Sequence, residues 1–381
     1  MSLAPSAAPA RLAFDRGHKL KLGLFGANCS SGRSLTTVPE RWKAGWDEMS
    51  AAAVMADDCG IDFLLPIARW KGYGGETDFQ GTSFETITWA TGLLAITRQI
   101  TVFGTVHVPL FHPVIAAKQM VTADHVGAGR FGLNIVAGWN EDEFEMFGVA
   151  RKDHAGRYEQ AYEWIDAVKS MWSRDDFDFH GRYYDLRGVR SKPKPYGGTQ
   201  PVMMNAGASP DGQAFALQHC DAYFTGVRMS SFEERTGVMV PAVDQATKYV
   251  AEVREKARAI GRAIGIFTRA EIVCRRTQQE AADYYRHWVE ECADWGAIDK
   301  QMQISKHMTP DMPDYVQRRK QHLHGFPVVG DADRVAEMLA QLSSVGFNGV
   351  GLSFVNYLDE VPYFRDEVLP RLVRAGVRNA P

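Results

Sequence analysis

The sequence is short of the features that mark several large protein classes. It has no apolar run long enough to span a membrane and no apolar stretch of signal-peptide length near its start, so a cytoplasmic protein without a membrane partner is expected. Its five cysteines (Cys29, Cys59, Cys220, Cys274 and Cys292) are odd in number and lack any CxxC spacing, which argues against a disulfide framework and a structural zinc site. A basic excess is missing too. The 43 Lys and Arg against 46 Asp and Glu leave a formal net charge of -3, so nucleic acid is not an expected partner. HExxH, GxSxG, closely paired carboxylates and a GxGxxG opening a helix after the first strand are all absent. Hydrolysis by protein groups alone therefore has little support, and no metal site is expected.

What is present is an alternation. Apolar strand-like runs occur at 21–27, 62–68, 100–108, 130–136, 201–206, 222–225, 264–273 and 348–354. Helical spacing separates them at 41–59, 83–97, 113–126, 157–172, 210–219, 240–260, 278–293 and 332–345. The last of these shows the signals well, with Asp331 as N-cap, a stripe of Val335, Met338, Leu339, Leu342 and Val345, and Gly346 as terminator. Strands alternating with helices require parallel pairing and right-handed crossovers, and a count of eight favours an α/β TIM (β/α)8 barrel. Residues 1–20 are expected as a mobile leader and 21–381 as one domain. Two insertions interrupt the pattern: a hairpin near 177–187, and a long polar loop near 296–326 carrying Lys306, His307, Arg318, Arg319, Lys320, His322 and His324, a candidate lid.

A barrel's catalytic face lies at the C-terminal ends of its strands, so the polar residues there come first: Asn28–Ser31, Ala68–Lys71, Thr105–His107, Asn134–Glu143, Asn205–Ser209 and Thr225–Arg228. Taken singly, each has a plainer reading. Asn134 could be a core amide, Arg157 and Glu159 a solvated helix face, His154 a surface cap, and Trp139 and Tyr158 ordinary core. His107, ending the third strand, could donate to a substrate oxygen or carry a proton near neutral pH.

The block Gly129-Arg-Phe-Gly-Leu-Asn-Ile-Val-Ala-Gly-Trp139, followed by Glu143 and then His154-Ala-Gly-Arg-Tyr-Glu159, changes that balance. It resembles the luciferase-like flavin monooxygenases, with their GR-x-x-x-N-[ILV]-V-[ST]-G strand and H-x-x-R-Y-[ED] helix start. Ala206-Gly-Ala-Ser209 and Val329-Gly-Asp331 extend the resemblance. Arg69-x-Lys71-Gly-Tyr-Gly-Gly75 with Glu76-Thr-Asp-Phe79 is most similar to the pyrimidine-opening members, whereas the first loop, Asn28 to Thr37, looks nearer to the sulfone type.

The resemblance implies reduced FMN (FMNH2) as cofactor, O2 as co-substrate, an NAD(P)H-dependent flavin reductase as partner, a small heteroatom-containing substrate and a homodimer or homotetramer. It assigns Asn134 and Glu143 to the flavin ring and ribityl region, Ala68 and Arg69 to contact with the isoalloxazine, and Arg157, Tyr158 and Ser209 to the phosphate. Thr105 and Asn134 are expected to handle dioxygen, with His107 on the substrate side. Alternatives within the same barrel are a sulfone or alkanesulfonate C–S cleaving enzyme, a deazaflavin-dependent dehydrogenase and a non-catalytic flavin-binding barrel.

Overall fold

The computed structural model describes residues 14, 17–226, 229–232, 239–306, 308–313, 315, 316, 319 and 326–380. Strands β1 (Lys21–Phe25), β2 (Phe63–Leu65), β3 (Thr101–His107) and β4 (Phe131–Val136) pair in parallel in chain order. An antiparallel hairpin, β5 (Asp176–His180) and β6 (Asp185–Arg190), projects between β4 and β7 (Val202–Asn205). β8 (Ala222–Phe224) follows, then a second small hairpin, β9 (Met229–Phe232) with β10 (Met239–Pro241).

β11 (Gly265–Cys274) closes the ring. Its first residues pair with β8 and its middle with β13 (Gly349–Ser353), which pairs in turn with β1. The result is a closed barrel of eight parallel strands, as the alternation predicts. β12 (Pro327–Gly330), absent from the sequence reading, adds to the upper half of β11 through Glu271–Cys274.

Helices surround the barrel: α1 (Trp46–Asp58), α2 (Thr86–Ile96), α3 (Pro113–Val126), α4 (Glu141–Met146), α5 (His154–Ser173), α6 (Pro210–His219), α7 (Val243–Ala259), α8 (Gln278–Arg286), α9 (Trp295–Lys306), α10 (Ala332–Val345), α11 (Tyr357–Tyr363) and α12 (Leu369–Arg374). In α10 the Asp331 side chain accepts from Arg334 N, the apolar stripe is buried, and Gly346 ends the helix at φ 111°.

Because the strands are covered on both faces, they read as apolar runs, and period two divides them between helix-facing and interior side chains. The lower interior is aromatic. Phe63, Phe103 and Phe267 fill it, and a Cβ on Gly23 or Gly349 would meet a phenylalanine ring at 2.2 Å, so only glycine leaves room for the rings. Phe14 stacks on Phe267 at 5.5 Å and meets Phe103 edge-on at 5.7 Å. Burial of each such ring contributes roughly 2–3 kcal/mol.

Parts of the expected leader are thus held against the domain. Besides Phe14, His18 Nδ1 lies 2.7 Å from Asp62 Oδ1, and Leu20 is fully buried. The expected loop near 296–326 is corrected as well: it opens with helix α9, whose Ala297, Ile298 and Met302 pack on Tyr73 and Phe79. Ile298 and Met302 recur at helical spacing, a period masked in sequence by the polar residues around them. His307, Arg318, Lys320, His322 and His324 lie outside the described residues.

Candidate active site

The segment after β2 turns across the barrel mouth, and its backbone is fixed by side chains of the loop after β1 and of its own far end. Asn28, just after β1, donates to Ile67 O and accepts from Ile67 N, both at 2.8 Å. Ser83 Oγ donates to Arg69 O at 2.7 Å. Ala68, between these anchors, is buried.

Arg69 is buried too, and its guanidinium donates to Glu143 Oε1 at 2.8 Å and to Gln80 Oε1 at 3.2 Å. Gln80 donates to Gly32 O at 2.8 Å and takes a left-handed backbone, φ 59°, to reach this position. The guanidinium also faces the rings of Tyr73 at 4.6 Å and Trp139 at 5.6 Å.

Glu143, in the first turn of α4, is 1% exposed and also accepts from Trp70 N at 2.9 Å. Two residues expected to touch the flavin are therefore bonded to each other. Glu143 thereby ties Arg69 and the Trp70 amide to α4. His107 Nδ1 lies 3.7 Å from Glu143 Oε2. Full burial pulls the imidazole down to about 4, outweighing the pull of Glu143 in the other direction. This environment favours the neutral form of His107. It can still donate or accept a hydrogen bond.

Thr105 and Asn134 face each other from neighbouring strands, paired in register. Asn134 Nδ2 donates to Thr105 Oγ1 at 3.2 Å, and Thr105 Oγ1 donates to Pro66 O at 2.7 Å. This chain leaves Asn134 Oδ1 buried without a partner, an acceptor aimed at something the protein does not supply.

Arg157, Tyr158 and Ser209 also come together. Asp153 caps α5 by accepting from Gly156 N, which sets Arg157 and Tyr158 in its first turn. Ser209 caps α6, accepting from Gly212 N at 3.1 Å. Gly207 and Gly212 close a tight cradle around the Tyr158 hydroxyl: a Cβ on either would lie 2.6 Å or 2.5 Å from it, respectively.

Arg157 Nη2 contacts His154 Nδ1 at 3.2 Å, and His154 Nε2 lies 3.2 Å from Asp211 Oδ2. Arg157 Nε is buried without a partner, and burial beside Arg151 lowers the guanidinium's affinity for its proton. A cationic fork, a hydroxyl and a helix N-terminus converge here, a donor set suited to phosphate. The orphaned Nε and the glycine cradle fit the phosphate end of FMN, and Asn134 Oδ1 fits a ring N–H.

Several positioning residues gave no sequence signal. Gln80 and Ser83 fall in an irregular loop. Asp294 accepts from Thr77 N at 2.8 Å, Thr77 Oγ1 at 2.7 Å, Glu76 N at 3.1 Å and Ala297 N at 3.1 Å, tying the 72–81 loop to α9. Arg269 and Glu271, charges at alternate positions of the apolar strand β11, were likewise not singled out in the sequence.

A luciferase-like monooxygenase family model matches residues 20–349. The chain belongs to this family. It is 27% identical over 360 residues to a pyrimidine monooxygenase of Enterobacter sp. (strain 638), covering 92% of this chain and 96% of that one. It is 29% identical over 366 residues to an FMNH2-dependent dimethylsulfone monooxygenase of Pseudomonas fluorescens (strain Pf0-1), covering 93% and 94%. Among solved structures, a long-chain alkane monooxygenase superposes with TM-score 0.82 at 16% identity, covering 95% of this chain and 93% of that one. A riboflavin lyase with modified FMN gives 0.81 at 22%, covering 95% and 93%. These two likenesses establish the fold. Among the described residues of this luciferase-like chain, no three His, Cys, Asp or Glu side chains are grouped as metal ligands, and no helix is long and apolar enough to cross a membrane.

Proposed function

We propose that this chain is the oxygenase of a two-component FMNH2-dependent monooxygenase, in which a separate NAD(P)H-dependent reductase delivers reduced flavin in the cytoplasm. The observation that carries the reading is a pair of buried groups that the described residues leave unsatisfied, Arg157 Nε in the first turn of α5 and Asn134 Oδ1 on β4. Reduced FMN, when bound, supplies the two electrons that let one atom of O2 enter the substrate while the other leaves as water.

The protein's own residues do the rest. Arg157, Tyr158 and Ser209 hold the phosphate. Asn134 accepts from the ring, and Thr105, itself held by Pro66 O, fixes the Asn134 amide so that its second N–H is an oriented donor at the strand ends. The Arg69–Glu143 pair holds the loop that keeps water out, and neutral His107 offers a hydrogen bond on the substrate side without adding charge. Water exclusion matters because it prevents unproductive loss of reducing power. A small heteroatom-containing substrate fits this arrangement, with a pyrimidine-like ring amide as the main reading and a sulfone or sulfonate as the second, favoured by the first loop and the dimethylsulfone relative. A homodimer or homotetramer completes the proposal.

The test combines FMN titration with oxygen uptake in the presence of a flavin reductase and NADH, and product analysis against uracil, dimethyl sulfone and an alkanesulfonate. Tight FMN binding with substrate-dependent product supports the reading. Preference for a deazaflavin overturns it in favour of a dehydrogenase, and tight FMN binding with no substrate-dependent oxygen uptake overturns it in favour of a non-catalytic barrel; FMN binding without product from these three compounds reopens the choice of substrate.

A further inference from the structure

β11 stands four strands from β3 in either direction around the eight-stranded ring, so it faces Thr105 and His107 across the barrel. Phe267, in the lower interior, fixes which β11 side chains point inward, and period two puts Arg269 and Glu271 on the same inner face, about 7 Å and 13 Å higher. Arg33, in the loop after β1, reaches the same region. Its Nη2 lies 3.9 Å from Glu271 Oε1, its guanidinium faces the Phe25 ring at 5.5 Å, and its Nε is buried without a hydrogen-bond partner.

Arg269 is enclosed by protein yet keeps some accessible surface, as a side chain lining an internal cavity does. Among the described residues, none forms a hydrogen bond or ion pair with its guanidinium. The nearness of Arg33, with burial second, pulls Arg269 down to about 10, so the two cations face each other instead of being screened. Glu271 faces Arg33, and among the described residues no carboxylate pairs with Arg269. Burying an uncompensated guanidinium is costly, and such a group is retained where something else completes it.

We propose that Arg269 and Arg33 form a subsite for an anionic group on the substrate, a carboxylate or sulfonate of a small organic acid, held across the mouth from Thr105 and His107. A planar guanidinium suits either group through two parallel hydrogen bonds. The inference rests on the flavin-dependent reading above and narrows its substrate class. Uracil and dimethyl sulfone are both neutral, so of the substrates considered above only a sulfonate carries the charge this subsite takes, and a pyrimidine-like ring would need an acidic substituent to fill it.

The test is calorimetric titration of FMN-saturated protein, in which the Arg157 site is already filled, with propanesulfonate, butyrate and dimethyl sulfone. One or both anions should bind, and which of them binds more tightly distinguishes sulfonate from carboxylate. In Arg269→Met, anion binding should weaken at least 10-fold with FMN affinity unchanged, and the ligand-free melting temperature should rise because an unpaired buried charge is gone. Arg269→Lys should recover part of the binding. Arg33→Gln, in a loop, carries the same test if Arg269→Met does not fold. Anion binding equal to wild type in Arg269→Met and Arg33→Gln overturns the proposal, as does binding of dimethyl sulfone with neither anion bound. Failure of FMN to bind sinks the flavin reading separately, since the anion titration can be repeated on flavin-free protein.

Discussion

Glu143 grips the Arg69 segment at two points, accepting from the Arg69 guanidinium at 2.8 Å and from the amide of Trp70 at 2.9 Å. Both charges are buried, so removing one leaves the other without its partner. Glu143→Gln and Arg69→Met should each lower stability by about 3 kcal/mol, whereas the double variant should lose much less than the sum. Guanidinium chloride unfolding of the full cycle measures this, and additive losses would show that the pair is not coupled.

The Gly207–Gly212 cradle is a second sensitive point. A Cβ at Gly207 would sit 2.6 Å from the Tyr158 hydroxyl and 2.7 Å from Gly212 Cα, and the backbone cannot yield cheaply. Gly207→Ala should weaken FMN binding by more than 10-fold at a cost to stability of about 1–3 kcal/mol. Flavin fluorescence titration reads the first effect, and wild-type affinity in the variant would refute the placement of the phosphate.

Asn134→Ala and Thr105→Ala should fold and still consume oxygen with reductase and FMN, but the ratio of product to oxygen should drop, by roughly 10-fold for loss of one oriented polar group at a reacting centre. Coupling that stays at the wild-type ratio in both would remove them from the reaction.

Acid sensitivity has a worked sign. His107 is held near 4 by burial, and His219 near 4 by burial beside Lys169 and Arg262, whereas an unfolded histidine titrates near 6.5. Between those values the unfolded chain binds protons that the folded chain refuses. The stabilising contribution is therefore complete above about pH 6.5 and is lost as pH falls toward 4. The melting temperature should decline over that window, and less steeply in His107→Gln. An unchanged slope would mean that His107 is not among the groups responsible.

Asp294 gathers three backbone amides and a hydroxyl while only 2% exposed. Asp294→Ala leaves those donors unpaired and should cost about 2–4 kcal/mol. Because Asp294 joins the 72–81 loop to α9, limited proteolysis should cut first in one of those two segments, and cleavage elsewhere would argue against that coupling.

How much of this was legible in the sequence depended on the range of the forces involved. The eight barrel strands and helices such as 113–126, 210–219 and 332–345 were readable because period and caps are local. β12 was not, since four residues flanked by polar sequence carry no period of their own and owe their pairing to β11. Arg157, Tyr158 and Ser209 were recognisable as a motif, and they do converge. The bond between Arg69 and Glu143 was not, because those residues are 74 positions apart and the same two types would serve equally well as separate ligand contacts. His107 shows a further gap: its position was readable, but its neutrality follows from how deeply the finished fold encloses it.

The aromatic floor formed by Phe14, Phe63, Phe103 and Phe267 plugs the lower end of the barrel with packed rings. A ligand as large as a flavin therefore has to come in from the opposite end, the one that carries Thr105, His107 and Asn134.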